Sequence, residues 1–472
     1  MQETNTQLNP GTLPNNLPNK VVFDASLQQQ SIGQIPDKKQ IITNTVGGRR
    51  FSPKIILIFL GIFLLILVLA VIAKVASNTN QNKEVKLTWW SLKEDEDAVK
   101  PLIDEYKQKN PKVTIEFVKQ SSQDYRERLT NSFIKGQGPD IFEFHNTWLP
   151  MLFNYFSFNS FDLSSTFYPV VTDDLKTKNG FAGVPLEYDG ITLFINQDIF
   201  RAYGKDYPKT WDEFRRDAKD LTVRDENGVI RQAGAALGTT SNVDYWQDVL
   251  GLLLLQNGSD LKNFESPSSS AALTFYTNFS KTDHVWDDAL PNSTTFFGQG
   301  KLAMYFGKYS DAIAFSKNPS VHFQVVPLPQ LPATPNNSSI AYASYWVEGV
   351  NKNSANVNAA WEFLNFISSK DSLTKLHTGI YPRRDMQNEL LSNQLAGPFA
   401  YQAGFARSWY LADKTFDGPT GINSQLAKPF ADAFSLVGGN SSLEQVIGGL
   451  QSQITEVLAN YGIVSAPLPK KQ

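Results

Sequence analysis

The chain carries 46 Asp and Glu, 4 His and no Cys, and the spacing of these residues does not assemble a reaction centre. The histidines, His145, His284, His322 and His377, lack the short spacings of metal ligands. Without cysteine there is no thiol nucleophile, disulfide or thiolate zinc site. Walker loop, dinucleotide fingerprint and Gly-x-Ser-x-Gly are all missing from the sequence. Two carboxylates can cleave a glycoside when the fold brings them together, but the sequence singles out no pair. Reversible binding is the most economical reading. For that purpose the chain is well supplied, with 17 Tyr, 32 Phe and 9 Trp. Tyr and Trp in loops make the faces of a ligand cleft, although most aromatics in any chain fill cores.

The elements that must position such residues are strands alternating with amphipathic helices. Residues 85–90 (VKLTWW) read as a strand, 97–110 as a helix that stops before Pro111, and 113–118 as the next strand. Residues 123–135 read as a second helix ending at Gly136, and 140–144 as a third strand. This β-α-β order favours a parallel sheet. Gly138-Pro139 forces a turn before the third strand and puts Phe144-His145-Asn146 at its carboxyl end, the edge where open α/β sheets bind ligands. Thr210, with Glu213 three positions on, predicts a capping box for a helix running toward Leu221. No internal repeat is evident.

Ahead of these elements, Ile55 to Ala73 is an unbroken apolar run, long enough to span about 28 Å as a helix, close to the hydrocarbon thickness of a bilayer. Lys38, Lys39, Arg49, Arg50 and Lys54 precede it, a denser basic flank than Lys74, Lys83 and Lys86 after it, so the N-terminus is expected in the cytoplasm. A cleaved signal peptide fits less well, because the run is long and lies far from the N-terminus. A lipid-modified cysteine is impossible. Residues 1–53, rich in Asn, Gln, Pro and Thr, read as a disordered cytoplasmic tail, 54–75 as the transmembrane helix and 76–83 as a tether. The rest of the 472 residues is too long for one ordinary core and is expected to form two lobes. A formal net charge of −3, with no basic stripe, argues against a nucleic-acid partner.

Several segments carry a resemblance. Trp89-Trp90, Asn110-Pro111, the helix with Tyr125 and Leu129, and Gly136-Gln-Gly-Pro-Asp140 are followed by Gly183-Val-Pro-Leu-Glu-Tyr-Asp189, Phe194-Ile-Asn196 and Pro208-Lys-Thr-Trp-Asp-Glu-Phe214. Then come residues 297–304, 323–329 and 360–366, and Pro382-Arg383. In this order the blocks resemble the extracellular solute-binding proteins of family 1, which include the maltose-binding-like receptors of ABC importers. The resemblance implies an α/β, two-lobed periplasmic-binding-protein-like fold with a hinge, here preceded by one transmembrane helix. It implies one lobe from 84–187 plus 327–380 and another from 188–326 plus 381–472, with crossings near Tyr188, Val326 to Pro329 and Ile380 to Arg383. It implies a binder rather than an enzyme, with no cofactor, a saccharide as solute and ABC permease subunits as partners. A sensor subunit signalling occupancy and a surface glycosidase are the rival readings.

In that family aromatic faces hold sugar rings while carboxylates, amides and guanidinium groups hold hydroxyls. Carried over by position, the resemblance implies ligand contacts from Trp90 and Ser91, Asn146, Tyr188 and Asp189, Trp246, Tyr309, Tyr345 and Trp346, and Arg383. Trp90 and Tyr309 fit core packing as well as a ligand platform. Trp211 and Trp361, in helical patterns, read as core. Glu348, which interrupts an apolar strand, reads as an exposed strand residue, and His145 as a solvated loop residue.

Overall fold

The computed structural model describes residues 65–66, 84–260, 264–332, 338–376, 379–437 and 442–465. The chain divides into two units, Met1–Ser77 and Asn78–Gln472. The expected tail, span and tether lie outside the described residues, apart from Leu65 and Ile66, which are helical. Among the described residues no helix is long and apolar enough to cross a membrane.

The second unit opens as the patterning predicts: β1 (Val85–Ser91), α1 (Glu96–Lys109), β2 (Val113–Lys119), α2 (Tyr125–Ile134) and β3 (Ile141–His145). The short strands β4 (Phe156–Ser157) and β5 (Gly183–Val184) follow. The next run holds β6 (Thr192–Asn196), α3 (Trp211–Asp220), β7 (Val223–Arg224), β8 (Ile230–Ala235), α4 (Trp246–Gln256), β9 (Leu302–Gly307), α5 (Tyr309–Phe315) and β10 (Phe323–Val326). Beyond it come β11 (Trp346–Asn351), α6 (Val357–Ile367), α7 (Ile422–Leu436) and α8 (Leu443–Asn460).

Two sheets result. The first has the order β2-β1-β3-β11-β4, with β5 also on β11. Its first three strands are parallel, as a β-α-β order requires, and β11 enters antiparallel from more than 190 residues away in the chain (). All residues of β3 and β11 are buried, so these central strands show no alternation. Gly183 and Gly349 pair where β5 meets β11, and a Cβ on Gly183 would stand 2.5 Å from the carbonyl oxygen of Glu348, so only glycine allows that approach. The second sheet runs β10-β6-β9-β8-β7. Against it packs α3, started by the expected capping box: Glu213 N donates to Thr210 Oγ1 at 3.2 Å and Thr210 N donates to Glu213 Oε2 at 3.1 Å. Trp211 and Phe214 on its inner face, like Trp361 on α6, are buried as core residues.

The two segments joining these sheets lie side by side, with residue 380 paired to the first of them. Tyr188 N donates to Ile380 O at 2.7 Å and Ser344 N to Asp189 O at 3.0 Å, so residues 188–190, 343–344 and 380 form one small ribbon.

Candidate functional site

At the carboxyl end of β1 the chain turns through Leu92 to Asp95 into α1, and a carboxylate from the neighbouring strand holds that turn. Glu143 Oε2 on β3 accepts from Ser91 Oγ at 2.9 Å, from Lys93 N at 2.8 Å and from Leu92 N. Its register partner on β11 is Glu348, whose Oε2 accepts from Trp89 Nε1 at 2.8 Å. Both carboxyls are buried, which raises their pKa values, Glu348 well above the ordinary range because the Glu143 charge adds to its burial. Glu348 is therefore interior and not an exposed strand residue: its indole partner lies 259 positions away and supplies the hydrogen bond that permits burial. His145 is likewise interior rather than solvated. Its Nδ1 meets Thr147 Oγ1 at 2.8 Å and its Nε2 meets Ser344 Oγ at 3.1 Å, and burial holds its pKa well below the ordinary value.

This turn forms one wall of a cleft of about 350 Å³. Lys93, Glu94 and Asp95 face Glu187, Tyr188 and Asp189 of the crossing, Tyr309, Ser310 and Ile313 of α5, and Gly379 and Ile380. Three of its carboxylates have their own ammonium groups. Lys119 Nζ lies 2.8 Å from Asp95, Lys93 Nζ 3.8 Å from Glu187 and Lys308 Nζ 3.0 Å from Asp189. Lys308 caps α5, with its backbone N–H donating to Asp311 Oδ2 at 2.9 Å. Burial opposes its charge, but Asp189 and Asp248 outweigh this and raise its pKa. Glu94 has no such partner among the described residues. Burial, with the Glu187 and Glu143 charges, pushes its carboxyl up to about 8, and burial pushes Glu187 to about 7.

The residues expected to touch a solute are not all brought together. Tyr188, Asp189 and Tyr309 line the cleft. Ser91 supports its wall through Glu143. Trp90 packs half-buried against the hydrophobic core. Asn146 lines a smaller cavity of about 160 Å³ together with Asp174, whose Oδ2 accepts from Asn146 Nδ2 at 2.9 Å and, from behind, from the buried Tyr345 Oη at 2.8 Å. Trp246 packs edge-on against Phe434 of α7, 5.9 Å between ring centres. Trp346 is buried, edge-on to His145 and Trp148, with Phe416 stacked on it. Arg383 is held by Asp385 through two 3.0 Å hydrogen bonds. Conversely, Lys93, Glu94, Glu187 and Lys308 line or support the cleft and were not among the expected contacts. In the sequence Glu94 opens a run of four acidic residues, 94–97, with nothing to mark it from its neighbours, and Lys308 stands four residues after the block 297–304.

Residues 89–373 match the bacterial extracellular solute-binding proteins, more than half of the chain. The chain belongs to that family. The diacetylchitobiose-binding protein of Streptomyces coelicolor is 25% identical over 230 residues, which are 44% of this chain and 52% of the relative, so the chain spans about half the length of that curated protein. Among solved structures, a cyclo/maltodextrin-binding protein complexed with maltotetraose is 17% identical and superposes with a TM-score of 0.66 over 79% of this chain and 97% of that one. The sugar-binding protein MalE of Xanthomonas citri is 20% identical, with a TM-score of 0.64 over 80% and 98%. These likenesses show the two-lobed α/β fold of a solute-binding protein, and the family is one of binders, not enzymes.

Proposed function

We propose that the chain is a membrane-anchored extracellular solute-binding protein that captures a saccharide for an ABC importer. The observation that carries this reading is the cleft between the turn that follows β1 of the first sheet and α5, which follows β9 of the second, with the crossing at residues 187–189 between them. Its polar walls suit hydroxyl groups, and Tyr309, half-buried at its rim, offers an aromatic face. The relatives named above are described by saccharides. In this reading residues 84–187 with 327–380 and residues 188–326 with 381–472 are the lobes, and the ribbon of residues 188–190, 343–344 and 380 is the hinge. Tyr188, Asp189 and Tyr309 contact the solute. The apolar run Ile55 to Ala73 holds the protein in the membrane with its N-terminus inside.

A thermal-shift screen of the full-length chain in detergent against mono- and oligosaccharides tests this, since a ligand at about 100 times its Kd adds about 2.7 kcal/mol of stability. A hit recovered uncut after incubation supports binding without turnover. Cleavage of the hit, or stabilisation by no saccharide, overturns the reading.

A further inference from the structure

We propose that Glu94 is the subsite for a cationic nitrogen, so that the saccharide this cleft takes carries a free amine; this deepens the carbohydrate reading and rests on it. Four carboxylates line the cleft, and three already have a lysine at ion-pair distance: Asp95 has Lys119, Glu187 has Lys93 and Asp189 has Lys308. The fourth, Glu94, is 3% exposed, lies on the cleft wall, and its Oε2 is buried with no hydrogen-bond partner among the described residues. Glu94 N donates to Ser91 Oγ at 3.2 Å and its carbonyl accepts from Lys119 Nζ at 2.8 Å, so its backbone is held beside the cavity. The charged groups that act on it are Glu187 and Glu143, which repel its anion, and Lys119 and Lys93, which favour it while paired elsewhere.

A buried carboxylate without a counter-ion is costly, and nature keeps such groups where a partner arrives or where the proton stays on. Until a counter-charge arrives, Glu94 holds its proton, in line with its raised pKa. An ammonium entering from the solute supplies the missing charge, completes the fourth pair and lets that proton leave to solvent. A hydroxyl or an acetamide N–H can donate a hydrogen bond but brings no charge, so it gains less from Glu94.

Three disaccharides that share one β-1,4-linked frame and differ only at carbon 2 separate these cases: the glucosamine dimer with free amines, its N-acetylated form, and cellobiose. Calorimetric titration of the full-length chain in detergent at about pH 6.5 is expected to show the amine binding at least about tenfold more tightly than the other two. Glu94→Gln is expected to remove the preference, bringing the amine to within about threefold of the other two, while Asp95→Asn keeps it. Repeating the wild-type titration in two buffers of different ionisation heat needs no variant, and a released proton is expected with the amine only. Equal affinities, an amine preference that survives Glu94→Gln, or no released proton overturns the proposal. Binding of neutral saccharides alone overturns it while sparing the carbohydrate reading, and failure of every saccharide in the wider screen removes both.

Discussion

Lys308 Nζ stands 3.0 Å from Asp189 Oδ2, so the cap of α5 is tied by a buried ion pair to the segment where the chain passes between its two sheets. Neither partner is much exposed, 10% for the lysine side chain and 16% for the aspartate. The same ammonium also faces Asp248, which is fully buried and whose pKa burial raises to about 7. One lysine thus compensates two carboxylates.

Lys308→Met is therefore expected to destabilise the fold strongly, by about 3 kcal/mol, because it strands buried charge. Combining it with Asp189→Asn is expected to recover part of the loss. Urea unfolding of the two variants beside the wild type checks this, and a single variant as stable as the wild type would show that the pair contributes nothing.

Stability should also fall as pH rises. Glu94 goes from an ordinary value of 4.5 to about 8 in the fold, and Glu187 moves the same way to about 7. A carboxyl whose folded pKa is raised keeps its proton longer in the folded chain than in the unfolded one. Its contribution is fully present below about 4.5 and is lost as pH rises through about 8. The melting temperature is expected to drop across that window, and Glu94→Gln to flatten the drop, matching the wild type near pH 4.5 and exceeding it above about 8.

Much of this fold is legible in the sequence. β1, α1, β2, α2 and β3 lie within about two residues of where apolar periodicity places them, and Thr210 with Glu213 forms the expected capping box, because each of these features is set by neighbours a few positions apart. The site was far less legible. Glu348 depends on Trp89, His145 on Ser344 and Lys308 on Asp189, at separations of 259, 199 and 119 residues. A local pattern carries no trace of such partners, and a lone charge in a strand or loop then looks solvated.

Trp346 illustrates the difference between packing and binding. It is 6% exposed among His145, Trp148 and Phe416, so Trp346→Ala is expected to cost about 3 to 5 kcal/mol of stability through the cavity it leaves. Affinity measured on the surviving folded fraction should change little. A large affinity loss with intact stability would place this tryptophan against the solute.

Tyr309 is expected to behave in the opposite way. It is half-buried at the cleft rim, edge-on to Phe399 at 5.8 Å, and leaves part of its ring open. Tyr309→Ala should weaken saccharide binding by about 1 to 3 kcal/mol, the range of a lost aromatic anchor, and lower the melting temperature only slightly. Titration and thermal unfolding of the same preparation separate the two effects.

Amide hydrogen exchange of the full-length chain, with and without a saccharide found by the stability screen, tests the central claim most directly. The account expects protection to concentrate at Lys93 to Asp95, Glu187 to Asp189 and Tyr309 to Ile313, the three segments that wall the cleft. Protection confined instead to the groove formed by residues 323–327 and 391–398, or no change at the cleft despite binding, would contradict it.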